Sequence, residues 1–269
     1  MSNGETAYYL YCLMPGGRDI RVSAIGVDGE RPVWVHTCGE IAAALSEVEL
    51  AEFCGESAEA HLRDLAWLGP RVCRHEAAIE ELISRAPVLP ARFATLFTSV
   101  DSLQQSVLAH REAIAGFFAQ LGDQQEWAVK GLLDRAGALR ALGVSVQAAE
   151  AAAATSPGAR YFQEKRIQAQ CERDLNLRLK EHCRRAAAVL GTESGGFRER
   201  RVPGPAAAGS DAEVVLNWAF LVSPAALMDF RGRLDRFNGA EGFPGLTLTA
   251  SGPWPPYSFA PDLSAGGKP

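Results

Sequence analysis

The sequence lacks the long apolar runs that mark membrane and exported proteins. Its first apolar stretch, Tyr8–Met14, has seven residues, whereas a helix needs about 20 apolar residues to cross a bilayer. The polar residues before it contain no basic segment of the kind that opens a signal peptide. We therefore expect neither a membrane span nor a signal peptide, and we expect a soluble, cytoplasmic protein.

Positive charge is also in short supply. The chain has 27 Lys and Arg against 32 Asp and Glu, which gives a formal net charge of −5. The longest basic runs, Arg184–Arg185 and Arg198–Arg201, are too short to form an electrostatic patch, and no basic stripe contains interleaved aromatic residues. Because nucleic-acid binding needs such a stripe, we expect no nucleic-acid partner.

Motifs for catalysis and metal binding are missing too. The six cysteines form no CxxC pair and stand at no zinc-ligand spacing from a histidine, a pattern typical of reduced thiols in a cytoplasmic protein. The sequence has no phosphate-binding loop, no HExxH and no GxSxG. His75, beside Glu76 on a predicted helix, is expected to pack or to face solvent rather than to catalyse. The sequence predicts a protein that is not an enzyme and has no metal and no cofactor.

What the sequence does have is a hydrophobic content of 47%, enough for one or two cores. Aromatic and alternating apolar residues in the first half predict three strands, at 6–14, 20–27 and 33–37. At 41–48 the alanines favour a helix, whereas the short apolar run before a turn permits a buried strand, and of the two we expect the strand. The turn residues Asp28-Gly29 predict that the second and third strands form a hairpin. Helical spacing predicts a helical region over 58–86 that Gly69-Pro70 breaks in two, and a helix over 101–121 capped by Ser99.

A different pattern follows Asp123. The predicted elements are a strand at 126–133, a helix at 157–190, strands at 195–202 and 213–222, a helix at 224–237 and a strand at 246–250. This β-α-β-β-α-β order is typical of a ferredoxin-like sandwich. We predict an α+β chain with an N-terminal α+β domain over 1–123, a C-terminal ferredoxin-like domain with a long helix over 124–260, and a disordered tail over 261–269.

Two positions in these segments invite a structural interpretation. Arg92 lies in an apolar extended stretch, so that, if buried, it needs a carboxylate partner, for which Glu76 and Glu126 are candidates. Anchoring within the fold is favoured for Arg92 over recognition of a partner. Trp127 stands near the start of the second domain and is expected to pack in a core or at the domain interface.

The most distinctive segment is Ser251–Phe259, which has three prolines and three aromatic residues in nine positions. The prolines exclude a helix or a central strand and hold the segment in a stiff, extended form whose docking costs little entropy. Two interpretations stay open: the segment folds back to fill the core of its own chain, or it docks a partner. The candidate partner-binding residues are Trp254, Pro255, Pro256, Tyr257 and Phe259.

Several segments, taken in order, resemble the GvpF/GvpL family of gas vesicle proteins. The matching segments are Tyr8–Tyr11, Ala42–Val48, Trp67–Leu68 followed by His75, Val88–Phe97, Glu126–Lys130 and Gly252–Phe259. The last of them is the most specific, and Ala94 is a departure, since the family often has glycine there. The family-motif residues that the resemblance marks as structural are Pro90, Arg92, Phe93, Glu126 and Trp127.

The resemblance implies a non-enzymatic accessory or minor structural protein that binds the small hydrophobic shell protein and supports gas vesicle assembly. Such a protein would be cytoplasmic and associated with gas vesicles. Its partners would be the shell protein and other accessory proteins, with no membrane and no nucleic acid. The resemblance also implies an N-terminal α+β domain and a C-terminal ferredoxin-like domain. The alternatives are a purely structural wall component and a small-ligand-binding protein on a ferredoxin-like scaffold.

Overall fold

The computed structural model describes residues 5–17, 19–142, 157–202 and 213–263. The chain divides into two compact units, of which the first comprises residues 1–123 and 254–269 and the second comprises residues 124–253. The sequence assigned 254–260 to the second domain, but the structure places these residues in the first unit, because Tyr257 hydrogen-bonds to side chains of that unit. Most of the tail predicted to be disordered, from residue 264 onward, lies outside the described residues.

Within the described residues, the first unit is built on a five-stranded sheet. Its strands are β1 (Thr6–Pro15), β2 (Trp34–Cys38), β3 (Ile41–Glu49), β4 (Leu89–Pro90) and β5 (Leu96–Phe97). β1 is central and pairs antiparallel with β3, β4 and β5, while β2 pairs with the far edge of β3. The aromatic first strand of the sequence is therefore the central strand of the sheet, and three other strands pair with it.

The predicted hairpin between 20–27 and 33–37 forms only near its turn. The Gly26 N–H donates to the Arg31 carbonyl at 2.7 Å and the Val33 N–H donates to the Ala24 carbonyl at 3.0 Å, on either side of an antiparallel bridge between Ile25 and Pro32. Beyond this bridge β2 pairs with β3, and the Ser23 N–H donates to the Glu81 carboxylate at 3.0 Å. The turn at Asp28-Gly29 is present, with the Gly29 N–H donating to the Gly26 carbonyl at 2.8 Å.

The helices of the first unit break at residues other than the predicted ones. They are α1 (Leu50–Phe53), α2 (Glu56–Arg63), α3 (Leu65–Ile83), α4 (Val100–Ala109) and α5 (Arg111–Leu121). The break predicted at Gly69-Pro70 falls at Asp64, which caps α3 by accepting from the Ala66 N–H, and Pro70 is accommodated within α3. The single helix predicted over 101–121 is divided at His110, while the cap at Ser99 is confirmed by a reciprocal bond with Ser102.

A bulge in β1 sorts its side chains between the two faces of the sheet. The register with β3 shifts between Leu10 and Cys12, so that Tyr11 is an extra residue in the ladder. Tyr9, Tyr11 and Cys12 pack on one face in a core shared with α3. Leu10 and Leu13 line a cavity with residues of α4 and α5. The first unit thus buries both faces of its central strand.

The second unit contains a four-stranded sheet in the described residues, in the order β7-β8-β6-β9. Its elements are β6 (Gln125–Leu133), α6 (Arg135–Ala141), α7 (Pro157–Gly191), β7 (Gly196–Glu199), β8 (Glu213–Val222), α8 (Leu227–Asn238) and β9 (Leu246–Trp254). β8 pairs antiparallel with both β6 and β7. The helix α6 was not predicted, and most of the alanine-rich connection after it lies outside the described residues.

The core of the second unit joins this sheet to its two long helices. Leu175, Leu179, Ala186 and Leu190 of α7 are buried in it, and their helical spacing places them in one apolar stripe along the helix. Phe230, Leu234 and Phe237 of α8 lie in the same core. The sheet contributes large rings, those of Trp127, Trp218 and Phe220.

No helix in the described part of the chain is both long enough and apolar enough to cross a membrane.

Gly252 of β9 provides a test of packing in the second unit. Its φ is +143°, and a Cβ on it would lie 2.9 Å from the Glu126 carbonyl oxygen and 3.2 Å from the Trp127 ring. We expect Gly252→Ala to lower the free energy of unfolding by about 1–3 kcal/mol. Urea unfolding followed by circular dichroism measures this change.

Gly232 of α8 is the matched control, because nothing lies within 4 Å of the position of its Cβ. There the same substitution is expected to stabilise the helix by about 0.5–1 kcal/mol. Equal effects at the two glycines would contradict the close approach at Gly252.

Candidate partner-binding site

The candidate partner-binding residues belong to one segment, Trp254–Leu263, which we call the strap. After β9 the strap lies on the first unit, where Pro255, Pro256 and Phe259 are buried and Tyr257 is half-buried. Trp254 differs, since 43% of its surface is exposed. The strap therefore folds back on its own chain over most of its length and leaves one large ring in solvent.

The strap is fixed by a row of buried side-chain hydrogen bonds. The Tyr9 hydroxyl accepts from the Ala94 N–H at 3.0 Å and lies 3.0 Å from Nδ1 of His75. His75 Nε2 lies 3.1 Å from the Tyr257 hydroxyl, which donates to Glu76 Oε1 at 2.9 Å. One assignment satisfies the whole row: Tyr9 donates to His75 Nδ1, and the Nε2–H of a neutral His75 donates to Tyr257. We call these four side chains the relay.

A second hydroxyl pair supports the relay from β1. The Tyr11 ring stacks on the His75 ring with centroids 5.7 Å apart. The Tyr11 hydroxyl accepts from the Val27 N–H at 2.8 Å and lies 2.8 Å from Ser46 Oγ. Ser46 and Tyr11 are both fully buried. Because buried polar groups are costly when unpaired, these bonds fix the ring that lies against His75.

The Pro90–Phe97 motif supplies the backbone donor that starts the relay. Pro90 is buried in β4 opposite Cys12 of β1, and Phe93 packs edge-on to the His75 ring at 5.8 Å. Ala94, next to Phe93, has φ of +63°, a left-handed conformation that glycine adopts at less cost. The departure that the sequence comparison marks at Ala94 therefore falls at a position whose backbone favours glycine.

Burial shifts the ionisation of every titratable member of the relay. It lowers the pKa of His75 to about 4, which keeps the imidazole neutral. It raises the pKa of Tyr9 and of Tyr257, and it raises the pKa of Glu76 in spite of the hydrogen bond from Tyr257. The relay is therefore a set of neutral donors that ends on a carboxylate, and its polar atoms are used in binding one another.

A cavity of about 370 Å³ lies beside the strap, where Leu10 and Leu13 of β1 line it. Its apolar lining includes Leu10, Leu13, Leu89, Leu103, Val107 and Ile114. The strap contributes Tyr257 and residues 260–263 to its wall. Arg92 also lines it and is exposed, so the conditional prediction that Arg92 needs a buried carboxylate does not apply.

The two carboxylates proposed as partners of Arg92 have other partners. Glu76 ends the relay, and Glu126, which is 1% exposed, pairs with Arg200 at 3.3 Å in the second unit. Trp127 is 4% exposed in the core of that unit, and the Arg231 guanidinium lies 4.9 Å from its ring. The motif residues Glu126 and Trp127 thus lie in the second unit, apart from the relay.

Sequence reasoning named three members of the relay, His75, Glu76 and Tyr257, but did not predict that they bond to one another. Tyr9 and its supporting neighbours Tyr11 and Ser46 entered only as parts of longer segments. Of the two expectations for His75, packing is correct, since it is 1% exposed. The available signal was the co-occurrence of four polar aromatic residues in segments that otherwise predict a core. In the described residues no group of three or more potential ligands is placed to hold a metal ion.

The relay makes Tyr257 important for stability. Tyr257→Phe removes the group that accepts from His75 and donates to Glu76, so we expect a loss of about 1–3 kcal/mol in the free energy of unfolding. Urea unfolding measures it. Tyr8→Phe is the control, because Tyr8 lies on the same strand as Tyr9 and contributes its ring, packed edge-on to Trp34 at 6.4 Å. Equal losses in the two variants would contradict the relay.

His75 also makes stability depend on pH. Its pKa falls from 6.5 to about 4 on folding, so the unfolded chain binds the proton first. Above pH 6.5 neither state binds this proton, and the free energy of unfolding has its full value. As pH falls from 6.5 toward 4, protonation of the unfolded chain lowers the free energy of unfolding, by roughly 3 kcal/mol in all. Glu76, with a raised pKa, acts in the opposite direction.

The comparison of wild type with His75→Gln isolates the histidine. We expect the variant to have a flatter dependence of unfolding free energy on pH between 6.5 and 4, as measured by urea titrations at several pH values. Parallel pH profiles for the two proteins would mean that His75 is not held neutral.

The chain is similar to known proteins in both sequence and structure. Residues 7–261 match the family described as gas vesicle synthesis protein GvpL/GvpF. The chain is 26% identical over 261 residues to gas vesicle protein L of Streptomyces sp. (strain CB03234), covering 97% of this chain and 94% of that protein.

Two crystal structures have a similar fold of mixed helix and sheet. GvpF from Anabaena sp. PCC7120 superimposes with a TM-score of 0.73 at 16% identity, covering 95% of this chain and 98% of that one. GvpF from Microcystis aeruginosa superimposes with a TM-score of 0.67 at 18% identity, covering 95% and 99%. The family match extends over both units and most of the strap, and the chain belongs to the GvpL/GvpF family of gas vesicle proteins.

Proposed function

We propose that this chain binds the small hydrophobic shell protein of gas vesicles and supports vesicle assembly. The observation that carries the proposal is the family match, which runs from β1 to the strap and so takes in nearly every segment described above. A shell protein presents apolar surface before it is assembled, and such surface aggregates when exposed. A binder that covers this surface until the shell protein joins the wall would prevent aggregation.

The proposed role is one of binding and not of catalysis. The relay brings together the titratable side chains of His75, Glu76, Tyr9 and Tyr257, and their polar atoms bond to one another. A general acid or base must instead present its proton to a substrate. The arrangement therefore favours a structural use of these groups.

The proposed place of action is the cytoplasm, at the growing vesicle. The cysteines in the described part of the chain are thiols and not disulfides, in keeping with a reducing compartment. We also propose that the second unit is a ferredoxin-like domain. Its element order, with a sheet of order β9-β6-β8-β7 and long helices α7 and α8 in the core, supports this assignment.

The strap offers one exposed candidate contact to the shell protein. Of its proposed binding residues, Trp254 is 43% exposed, whereas Pro255, Pro256 and Phe259 are buried and Tyr257 belongs to the relay. Large rings are favoured at the centres of interfaces. Trp254 is therefore the residue through which the docking interpretation of the strap is best tested.

Co-expression with the shell protein tests the proposed function. We expect affinity-purified chain to retain soluble shell protein in a stoichiometric complex, and we expect Trp254→Ala to reduce retention about tenfold, as for an interface aromatic, with an unchanged Tm. Met228→Ala is the control, since Met228 is 76% exposed in the second unit.

The outcomes separate the alternatives. Absence of shell protein from the purified chain would contradict the proposed function. Retention by wild type and by Trp254→Ala in equal amounts would contradict only the role of the strap. A purely structural wall component would instead stay with assembled vesicles through a urea or detergent wash.

A further inference from the structure

The cavity beside the strap has the size and lining of a binding pocket. Its volume of about 370 Å³ lies in the range of ligand sites, roughly 300–1,000 Å³, whereas well-packed cores contain few voids larger than a water molecule. Leu10, Leu13, Leu103, Val107 and Ile114 line it, and each of them is buried. Packing of α4 and α5 against the sheet does not by itself require a space of this size.

The lining defines the chemistry of what fits. None of its residues carries a buried side-chain N or O atom without a hydrogen-bond partner. The Tyr257 hydroxyl is used by the relay, and Thr95 Oγ1 donates to the Arg92 carbonyl at 2.7 Å. A ligand in the cavity therefore needs no polar group to satisfy its lining. Branched aliphatic side chains would make apolar contacts with the leucine, valine and isoleucine residues that line it.

One exposed arginine and one exposed aspartate line this apolar cavity. Arg92 lines the cavity and is exposed, and no described residue offers its guanidinium a carboxylate within 4 Å. Asp262, on the strap, also lines the cavity and has an interaction of its own. An occupant that places an acidic group beside its apolar residues would pair with Arg92.

We propose that this cavity is the site where the chain holds the shell protein, by accepting an aliphatic segment of it with an adjacent acidic residue at Arg92. The inference rests on the proposed function and adds the place and chemistry of binding. It gives the strap a defined part: Tyr257 and Ala260 form a wall of the site, and the relay holds that wall against β1 and α3. Tyr257 is the ring of the strap that lines the cavity, and the shell protein would contact the cavity walls opposite it.

Filling the cavity from two independent elements tests the proposal in the co-expression assay. Val107→Phe adds a ring from α4, and Ala260→Phe adds one from the strap, since both residues line the space. We expect each to reduce retained shell protein about tenfold or more, as for loss of a central apolar anchor. Gln105→Phe is the matched control, because Gln105 is exposed on α4 outside the lining, and it is expected to retain wild-type amounts.

Reversing the charge of Arg92 tests the same site without filling the cavity, and so serves if a filled variant does not fold. Arg92→Glu changes an exposed residue and is expected to reduce retention several-fold with an unchanged Tm. Arg21→Glu, at another exposed arginine of the same unit, makes the same change of net charge and is expected to have no effect. Retention that falls as much in Arg21→Glu as in Arg92→Glu would overturn the pairing at the cavity.

The outcomes distinguish this site from the function on which it rests. If wild type retains shell protein and the folded filled variants retain the same amount, the cavity is not the site and the proposed function stands. If wild type retains none, the proposed function fails and the site fails with it.

Discussion

The hydrogen bonds of His75 hold together parts of the first unit that are far apart in the sequence. One ring nitrogen bonds to β1 through Tyr9, and the other bonds to the strap through Tyr257, 182 positions away. A buried polar row of this kind stabilises a fold only when each member is satisfied, because every unpaired group would cost free energy in the low-dielectric interior. The neutral imidazole meets this condition by donating at one nitrogen and accepting at the other.

The segments that carry the family resemblance are largely the ones that meet at this histidine. Tyr8–Tyr11 supplies the first hydroxyl, Val88–Phe97 supplies the Ala94 N–H and the Phe93 ring, and Gly252–Phe259 supplies Tyr257. These segments are far apart in the sequence, so their common contact with His75 is visible only in the structure. The motif at Glu126–Trp127 belongs to the second unit, where the Glu126 carbonyl oxygen and the Trp127 ring both approach Gly252 closely.

The central strand has different roles on its two faces. Its tyrosines fill one face with rings and with bonds to α3 and the strap, which leaves that core tightly specified. Its leucines line a cavity on the other face, where aliphatic side chains of α4 and α5 complete an apolar wall. The bulge at Tyr11 produces this division, because it places two successive side chains, Tyr11 and Cys12, in the same core. One face of β1 thus belongs to a packed core, and the other face borders the cavity.

The amino-acid sequence by itself determined the elements whose signals are local. The helix α7, the cap at Ser99 and the strands β1, β6 and β8 follow from side-chain periodicity and capping. Local signals left 41–48 open between helix and strand, and the strap turns over 257–259, where an extended form was predicted. Predictions from local signals were wrong where two signals indicated different boundaries, or where a residue distant in the sequence determined the pairing. Asp64 and not Pro70 began α3, and β3 and not the 20–27 segment paired with β2. Only the tertiary structure brought Tyr257 to His75, left Arg92 exposed and opened the cavity, because these depend on contacts between residues that no local pattern relates.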